Sequence, residues 1–393
     1  MSSVLRNTTR PPPDAIYLDY QATTPADPRV VEAMLPYFTE RFGNPHSTGH
    51  AFGLEAAEAV EVARAQIASL IGAEPREIVF TSGATEANNL AIKGAARFLK
   101  SRRDRVVTLA TEHKCVLESV RDLEREGITV EILPVEPSGL VDLDRLEAAL
   151  DERTSLLTVM AANNEIGVLQ DMAAIGALCR AKGVLLHTDA AQAFGKVPLD
   201  VQAMKLDLVS ISGHKIYAPK GIGALYVRHK PRVRLEPLFS GGGQERGFRS
   251  GTLSPALSVA LGTAAALAAS EGGAEAERLW TLSRRFRDGL AARVEGVSLN
   301  GHSEQRLPGN LNLRFVGVAA LDLLAALPDL ALSTGSACSS AEVEPSYVIK
   351  ALGLDRDTAN GAFRIGLGRF TTEAQIDRAV ERMAEAVTRL RGR

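Results

Sequence analysis

Cysteine is scarce in this 393-residue sequence, with Cys115, Cys179 and Cys338 as the whole supply. An odd and sparse set excludes a disulfide framework and points to a reducing compartment. No Cys or His spacing matches a zinc site, HExxH included, so no intrinsic metal is expected. Charge excess is missing too: 45 Lys and Arg stand against 47 Asp and Glu, a net charge of −2. A polyanion-binding domain shows a basic surplus, so nucleic acid is not an expected partner. Short basic runs such as Arg102-Arg103 and Arg284-Arg285 read as solvated helix faces. The longest apolar stretch, near 256–269, is too short and too alanine-rich to span a bilayer, and no membrane association is expected. The first thirteen residues hold Ser, Thr, Arg and three consecutive prolines but no apolar core, which excludes a secretory signal. They read as a flexible arm over 1–15. A cytoplasmic protein is the resulting expectation.

What is present is ordinary in amount and ordered in arrangement. Hydrophobic residues make up 45% and charged residues 23%, enough for a sizeable core, and the length suggests more than one domain. Short β-rich runs at 77–81, 105–110, 129–133, 156–160, 184–187 and 208–211 alternate with helical stretches at 86–100, 116–126, 142–150 and 173–181. Apolar strands separated by helices imply a mostly parallel sheet covered on both faces. After Gly221 the texture changes. A strand at 222–227 is followed by Gly241-Gly242-Gly243, a tight loop with exposed backbone. An alanine-rich helical region from 255 is expected to break at Gly272-Gly273. Strands at 310–315 and 363–367 precede a last helix opened by Thr372, with Gln375 completing a capping box. The pattern predicts an α/β protein with a large domain over 16–260, its first residues free to pack on the small domain, and a smaller α+β domain over 261–393.

Four motifs carry chemistry. Thr81-Ser82-Gly83-Ala84-Thr85-Glu86 lies where a strand meets a helix; free N–H groups and the helix dipole suit a phosphate there, although any β–α turn with a capping Thr looks similar. In Leu185-Leu186-His187-Thr188-Asp189-Ala190-Ala191-Gln192 an apolar strand ends in an acid, the edge where ligands bind in parallel sheets. Asp189 suits the partner of a pyridine nitrogen, and Gln192 a ring hydroxyl; capping of the next helix is the alternative role for Asp189. In Ser210-Ile211-Ser212-Gly213-His214-Lys215 a lysine directly follows a strand. A desolvated lysine there becomes a neutral nucleophile, whereas a solvated one is merely surface. Ser333-Thr334-Gly335-Ser336-Ala337-Cys338-Ser339-Ser340-Ala341 sets a cysteine among small residues without apolar periodicity, which suggests an accessible, reactive thiol on a loop. Cys115 and Cys179 fall in helical patterns and read as structural.

In this order, the motifs resemble the cysteine desulfurases of the fold-type-I pyridoxal-phosphate superfamily, within the class-V aminotransferases. The closer likeness is to the branch serving iron–sulfur cluster and nitrogenase assembly. The resemblance runs from Tyr17-Leu18-Asp19-Tyr20-Gln21-Ala22-Thr23-Thr24-Pro25 to Leu367-Gly368-Arg369-Phe370-Thr371-Thr372-Glu373. It passes through Phe42-Gly43-Asn44-Pro45, Thr111-Glu112-His113-Lys114, Asn163-Asn164-Glu165-Ile166-Gly167 and Arg249-Ser250-Gly251-Thr252, and so covers nearly the whole chain. It implies a mostly parallel mixed sheet in the large domain and pyridoxal 5′-phosphate as cofactor.

The resemblance also assigns roles. Lys215 would carry the cofactor and move the substrate's α-proton, Asp189 would face the pyridine nitrogen, and His113 would lie against the ring. Asn164 and Gln192 would contact the ring oxygen, with Ala84, Thr85, Ser212 and His214 at the phosphate. Thr252 would complete that phosphate site from a partner subunit, implying a homodimer. Arg364 would grip the carboxylate of L-cysteine through a bidentate fork, with Arg369 as the nearby alternative. Cys338 would take the sulfur as a persulfide, leave L-alanine, and pass the sulfur to an iron–sulfur scaffold or other acceptor protein. Any iron–sulfur contact of Cys338 would be a transient one with the scaffold. Gln21 departs from the small polar residue common in relatives and is expected at the pocket entrance. Longer relatives use a C-terminal tail to dock the scaffold, and the chain ends soon after its last helix. Selenocysteine lyase activity or sulfur donation for tRNA thiolation is the alternative reading. An inactive scaffold is disfavoured by Lys215, Asp189, His113 and Cys338 occurring together.

Overall fold

The computed structural model describes Pro12, residues 14–334 and residues 345–392. Cys338 and most of the predicted N-terminal arm lie outside the described residues. β1 (Ile16–Tyr17) comes first in the chain. The main sheet is built from β2 (Ile78–Thr81), β3 (Arg105–Leu109), β4 (Thr129–Leu133), β5 (Thr154–Thr158), β6 (Leu185–Asp189), β7 (Leu208–Ser212) and β8 (Gly223–Val227). Its spatial order is β2-β8-β7-β6-β5-β3-β4. Only β8 runs against its neighbours in this sheet; the β4–β3–β5–β6–β7 pairings are parallel.

The parallel strands are apolar because both faces are covered. All five residues of β5 and of β7 are buried. One face packs Phe80, Leu157, Leu186 and Val209 against Ile67 and Leu261, while the other packs Val79, Val106 and Leu208 against Leu90 and Val120. Polar residues gather at the C-terminal ends of the strands: Thr81 closes β2, Asp189 β6 and Ser212 β7. That edge is where a parallel sheet leaves backbone groups open to a ligand.

The second sheet joins β9 (Val297–Leu299), β10 (Asn310–Phe315) and β12 (Ala362–Gly366) in the order β12-β10-β9, with antiparallel pairing throughout. β1 pairs in parallel with β11 (Leu330–Ala331) and so belongs with the C-terminal elements. A separate core forms here from Leu311, Leu313, Phe363 and Ile365 of the sheet and Ile376, Val380, Met383 and Val387 of the helix Glu373–Arg391. That helix opens with the predicted capping box of Thr372 and Gln375.

One expectation fails. The helix Pro255–Ala291 runs unbroken through Gly272 and Gly273. Two glycines cost about 2 kcal/mol of helix propensity. Both ends of this helix are anchored by burial, Ala260, Leu261 and Ala264 in the main core and Leu279, Leu282, Phe286 and Leu290 in the second, and this outweighs the loss. Gly262 lets the helix press against Ala51–Leu70, since a Cβ there would come within 2.6 Å of the Ala63 Cα. Among the described residues no helix is long and apolar enough to cross a membrane.

Candidate active site

A cavity of about 1030 Å³ opens at the C-terminal edge of the main sheet, walled on its far side by β12 and the segment before it. Ala84, Thr85, His113, Asn164, Asp189, Gln192, Ser212, His214, Lys215 and Arg364 all line it. Residues far apart in sequence are therefore brought together by sheet topology.

Lys215 follows β7 in a single short turn. Its Nζ donates to the carbonyls of Gln21 at 2.6 Å and Ala22 at 2.8 Å. Burial, reinforced by nearby Arg364 and opposed by Asp189, pulls the amine down to about 8. Gln21 is thus buried against this lysine through its carbonyl and does not sit at an entrance, as the sequence had suggested.

Asp189 closes β6 and is buried. One oxygen accepts from the Ala191 N–H at 2.9 Å, the other from Asn88 Nδ2 at 2.7 Å. Asn88 comes from the middle of the helix Ala84–Leu99 and is fully buried. Below Asp189, His187 is pinned between Thr158 Oγ1 at 2.7 Å and Ser210 Oγ at 2.9 Å, and burial lowers it to about 3, so it is a neutral core residue.

The helix Ala84–Leu99 points its N-terminus into the cavity without a side-chain cap. Gly83 precedes it at a φ of +150°, a conformation a larger residue rarely adopts. Glu86 accepts from the Ser82 N–H at 2.7 Å and pairs with Arg249 at 2.8 Å, tying the loop of Arg249 and Thr252 to this helix end. Thr252 itself is exposed and is not part of the cavity wall formed by the described residues. His214 contacts Thr23 Oγ1 at 3.1 Å and is lowered to about 4 by burial and the adjacent Lys215.

His113 caps the helix Lys114–Arg125, its Nδ1 accepting from the Cys115 N–H at 3.2 Å. Cys115 does not belong to the apolar core alone, as its helical pattern suggested. It lines the cavity, with its Sγ 3.0 Å from His113 Nδ1 and 3.1 Å from Asn88 Nδ2. Burial and nearby Asp189 push its thiol up to about 12, which keeps it protonated. Cys179 is buried in the main core, also pushed up to about 12.

Arg364, on β12, donates through Nη1 to the Asn164 carbonyl at 2.9 Å and through Nη2 to Asp19 at 2.7 Å. Its Nε is buried and finds no partner among the described residues. Arg369 is committed elsewhere: it pairs with Asp27 at 2.7 Å and Glu275 at 2.9 Å and lies over the Tyr217 ring, outside the cavity. Thr334 and Pro345 both line the cavity, and between them in sequence lies Cys338.

The sequence matches the aminotransferase class-V family over residues 16–379. The chain belongs to the class-V aminotransferase family. Among curated relatives, the cysteine desulfurase IscS of Rickettsia bellii (strain OSU 85-389) is 55% identical over 391 residues, covering all of this chain and 94% of the relative. Among solved structures, a NifS-like protein superposes with a TM-score of 0.89 at 35% identity, over 95% of this chain and 99% of that one. A structure described as SspA in complex with cysteine matches with a TM-score of 0.80 at 36% identity, over 91% and 99% of the two chains. As a class-V aminotransferase, the chain has wall residues that its sequence motifs did not single out: Asn88, Lys220, Ser346 and Tyr347 all stand in or beside the cavity. Among the described residues no group of His, Cys, Asp and Glu is arranged to hold a metal ion.

Proposed function

We propose that this chain is a cysteine desulfurase that uses pyridoxal 5′-phosphate to convert L-cysteine to L-alanine, taking the sulfur onto Cys338. One observation carries the reading. A nucleophilic lysine, a buried carboxylate and an uncapped helix N-terminus share one cavity, and two of its lining residues, Thr334 and Pro345, flank the third cysteine in sequence.

The residues fit the cofactor. Asp189, held by Asn88 and a backbone N–H, would face the pyridine nitrogen. The N–H groups of Ala84 and Thr85, with Ser212 and His214, would hold the phosphate. Asn164 Oδ1 and Gln192 would meet the ring oxygen; Asn164 Oδ1 is buried without a partner among the described residues. His113 would lie against the ring, and Thr252 would reach the phosphate of a partner subunit in a homodimer. Bound pyridoxal phosphate withdraws electrons from the substrate's α-carbon.

The protein's own groups do the rest. Arg364 binds the substrate carboxylate, oriented by Asp19 and the Asn164 carbonyl. Lys215, neutral in useful amount near pH 7, takes the α-proton. The Cys338 thiolate attacks the substrate sulfur: a sulfur–sulfur bond forms and the sulfur–Cβ bond breaks. The electron pair stays on Cβ, which a proton converts to the methyl of alanine, so no outside oxidant is needed. Cys338 follows Thr334 by four residues, a tether of at most roughly 14 Å. The persulfide then passes to an acceptor protein such as an iron–sulfur scaffold. Free Cys115 and Cys179 suit a reducing compartment, and we place the enzyme in the cytoplasm.

Wild-type enzyme given L-cysteine and a thiol reductant is expected to release alanine and sulfide in equal amounts. Cys338→Ser keeps the yellow cofactor band but loses at least ~10³-fold in both products. Unchanged product release by Cys338→Ser would refute the persulfide step. Arg364→Lys is expected to raise KM for L-cysteine roughly 30-fold, with a smaller loss of kcat, because an ammonium cannot form the fork. Steady-state alanine formation against cysteine concentration checks this, and an unchanged KM would remove Arg364 from the substrate site.

A further inference from the structure

Lys196 has no part in the chemistry above, yet it stands directly behind the site. It borders a second, small cavity with Tyr217, Glu275 and Arg369, on the other side of Gln21 from the main one. Its Nζ donates to Gln192 Oε1 at 3.0 Å. The amine gives a hydrogen here, so the amide atom it touches is the oxygen. At the other end of the same amide, Gln192 Nε2 donates to the Gln21 carbonyl at 2.9 Å. A carbonyl only accepts, so this contact independently makes the inner atom the nitrogen. The two contacts agree and fix an orientation that an isolated carboxamide leaves open.

The Gln21 carbonyl is the same oxygen that accepts from Lys215 Nζ at 2.6 Å. Gln192 Nε2 and the reactive lysine therefore converge on one atom. The amide nitrogen carries two hydrogens; one serves Gln21, and the other remains for an acceptor in the main cavity, which Gln192 lines. Lys196 holds this arrangement against a cost. Burial, with the cations Lys215 and Arg364 nearby and Glu275 as the compensating anion, pulls its amine down to about 7. Tyr217 and Arg369 border the same small cavity, and Arg369 is already paired with Asp27 and Glu275. Without Lys196 the Gln192 oxygen loses the donor that holds it on that side, and nothing then fixes which end of the amide faces the main cavity.

We infer that Lys196 is a positioning residue: it locks the Gln192 carboxamide so that its NH₂ group faces the ring oxygen of the bound cofactor. This rests on the cofactor reading given above. A donor held at that oxygen favours its ionised form and so makes the neighbouring nitrogen attached to Lys215 less basic.

The test is the pH midpoint of the visible absorbance change in the cofactor-loaded enzyme, measured without substrate. Lys196→Met is expected to raise the midpoint by about one pH unit, and Gln192→Leu to raise it similarly. Lys196→Arg keeps a cationic donor and is expected to stay within a few tenths of wild type. In a Gln192→Leu background, adding Lys196→Met should change the midpoint by less than about 0.3 units, because the lysine acts through the amide. A wild-type midpoint in Lys196→Met overturns the inference. So does a full shift from Lys196→Met in the Gln192→Leu background, which would make the lysine a simple point charge. If Lys196→Met does not fold, Lys196→Ala decides: a midpoint raised as in Gln192→Leu supports the inference and a wild-type midpoint overturns it. A wild-type protein that takes up no cofactor and shows no visible band would fail at the earlier step, the cofactor reading itself.

Discussion

Lys215→Ala is expected to lose at least ~10⁴-fold in alanine formation from L-cysteine while remaining folded and able to take up cofactor non-covalently. The argument starts from position. The amine lies at the end of β7, against the carbonyls of Gln21 and Ala22, with Asp189 and Arg364 in the same cavity. Those two carbonyls accept hydrogen bonds and hold the amine in place without neutralising it. Burial lowers it from the ordinary lysine value to about 8. At pH 7 roughly a tenth of such an amine is neutral, against roughly one part in 3,000 for an exposed lysine. Both of its tasks, attachment of the cofactor and removal of the α-proton, need that neutral form. Alanine removes both at once, which is why the loss should exceed that of any wall residue. Single-turnover alanine formation measures the first consequence. Borohydride treatment measures the second, since reduction should fix cofactor to wild type and leave Lys215→Ala unlabelled. A small primary amine added to the variant should restore part of the proton transfer. Turnover within tenfold of wild type would assign the base to another residue.

Much of this site is legible in the sequence because the sheet does the assembling. An apolar strand ending in Asp189 and another ending in Ser212 are local patterns, and a parallel sheet places such ends at one edge. What stays illegible is contact across the fold. Asn88 looks like any polar residue in a helix, and only the packing of Ala84–Leu99 across the sheet brings it within 2.7 Å of Asp189. Cys115 follows a helical pattern, but it lies in the first turn beyond His113, at the cavity wall. Arg364 and Arg369 cannot be ranked by type or spacing. The structure separates them by their partners: the Asn164 carbonyl and Asp19 hold Arg364 at the cavity, while Asp27 and Glu275 consume Arg369 elsewhere. Gly272-Gly273 misleads for a related reason, since local propensity is outweighed by burial at both ends of one long helix.

Asp189→Asn should cost roughly 10²- to 10⁴-fold in kcat with near-normal cofactor content. Asp189 is 4% exposed, so its charge acts in a poorly solvated setting. Asn88 Nδ2 and the Ala191 N–H each donate to it, one to each oxygen, and fix the direction in which the carboxylate points. A carboxylate so held keeps a facing pyridine nitrogen protonated, the state in which the ring withdraws electrons. The amide of asparagine has nearly the same shape but no charge, and breaking a buried ionic pair from one side costs about 3–5 kcal/mol. That energy bears on the reaction more than on binding, because the phosphate contacts at Ala84, Thr85, Ser212 and His214 are untouched. The expected signature is therefore a fall in kcat with little change in cofactor affinity. Asn88→Ala tests the layer behind it. Asp189 keeps its charge and its backbone donor but loses the bond that aims it, so the loss should be about tenfold. Together with cofactor content, the two kcat values separate charge from aim. If Asp189→Asn retains kcat within threefold of wild type, the buried carboxylate only caps the turn after β6.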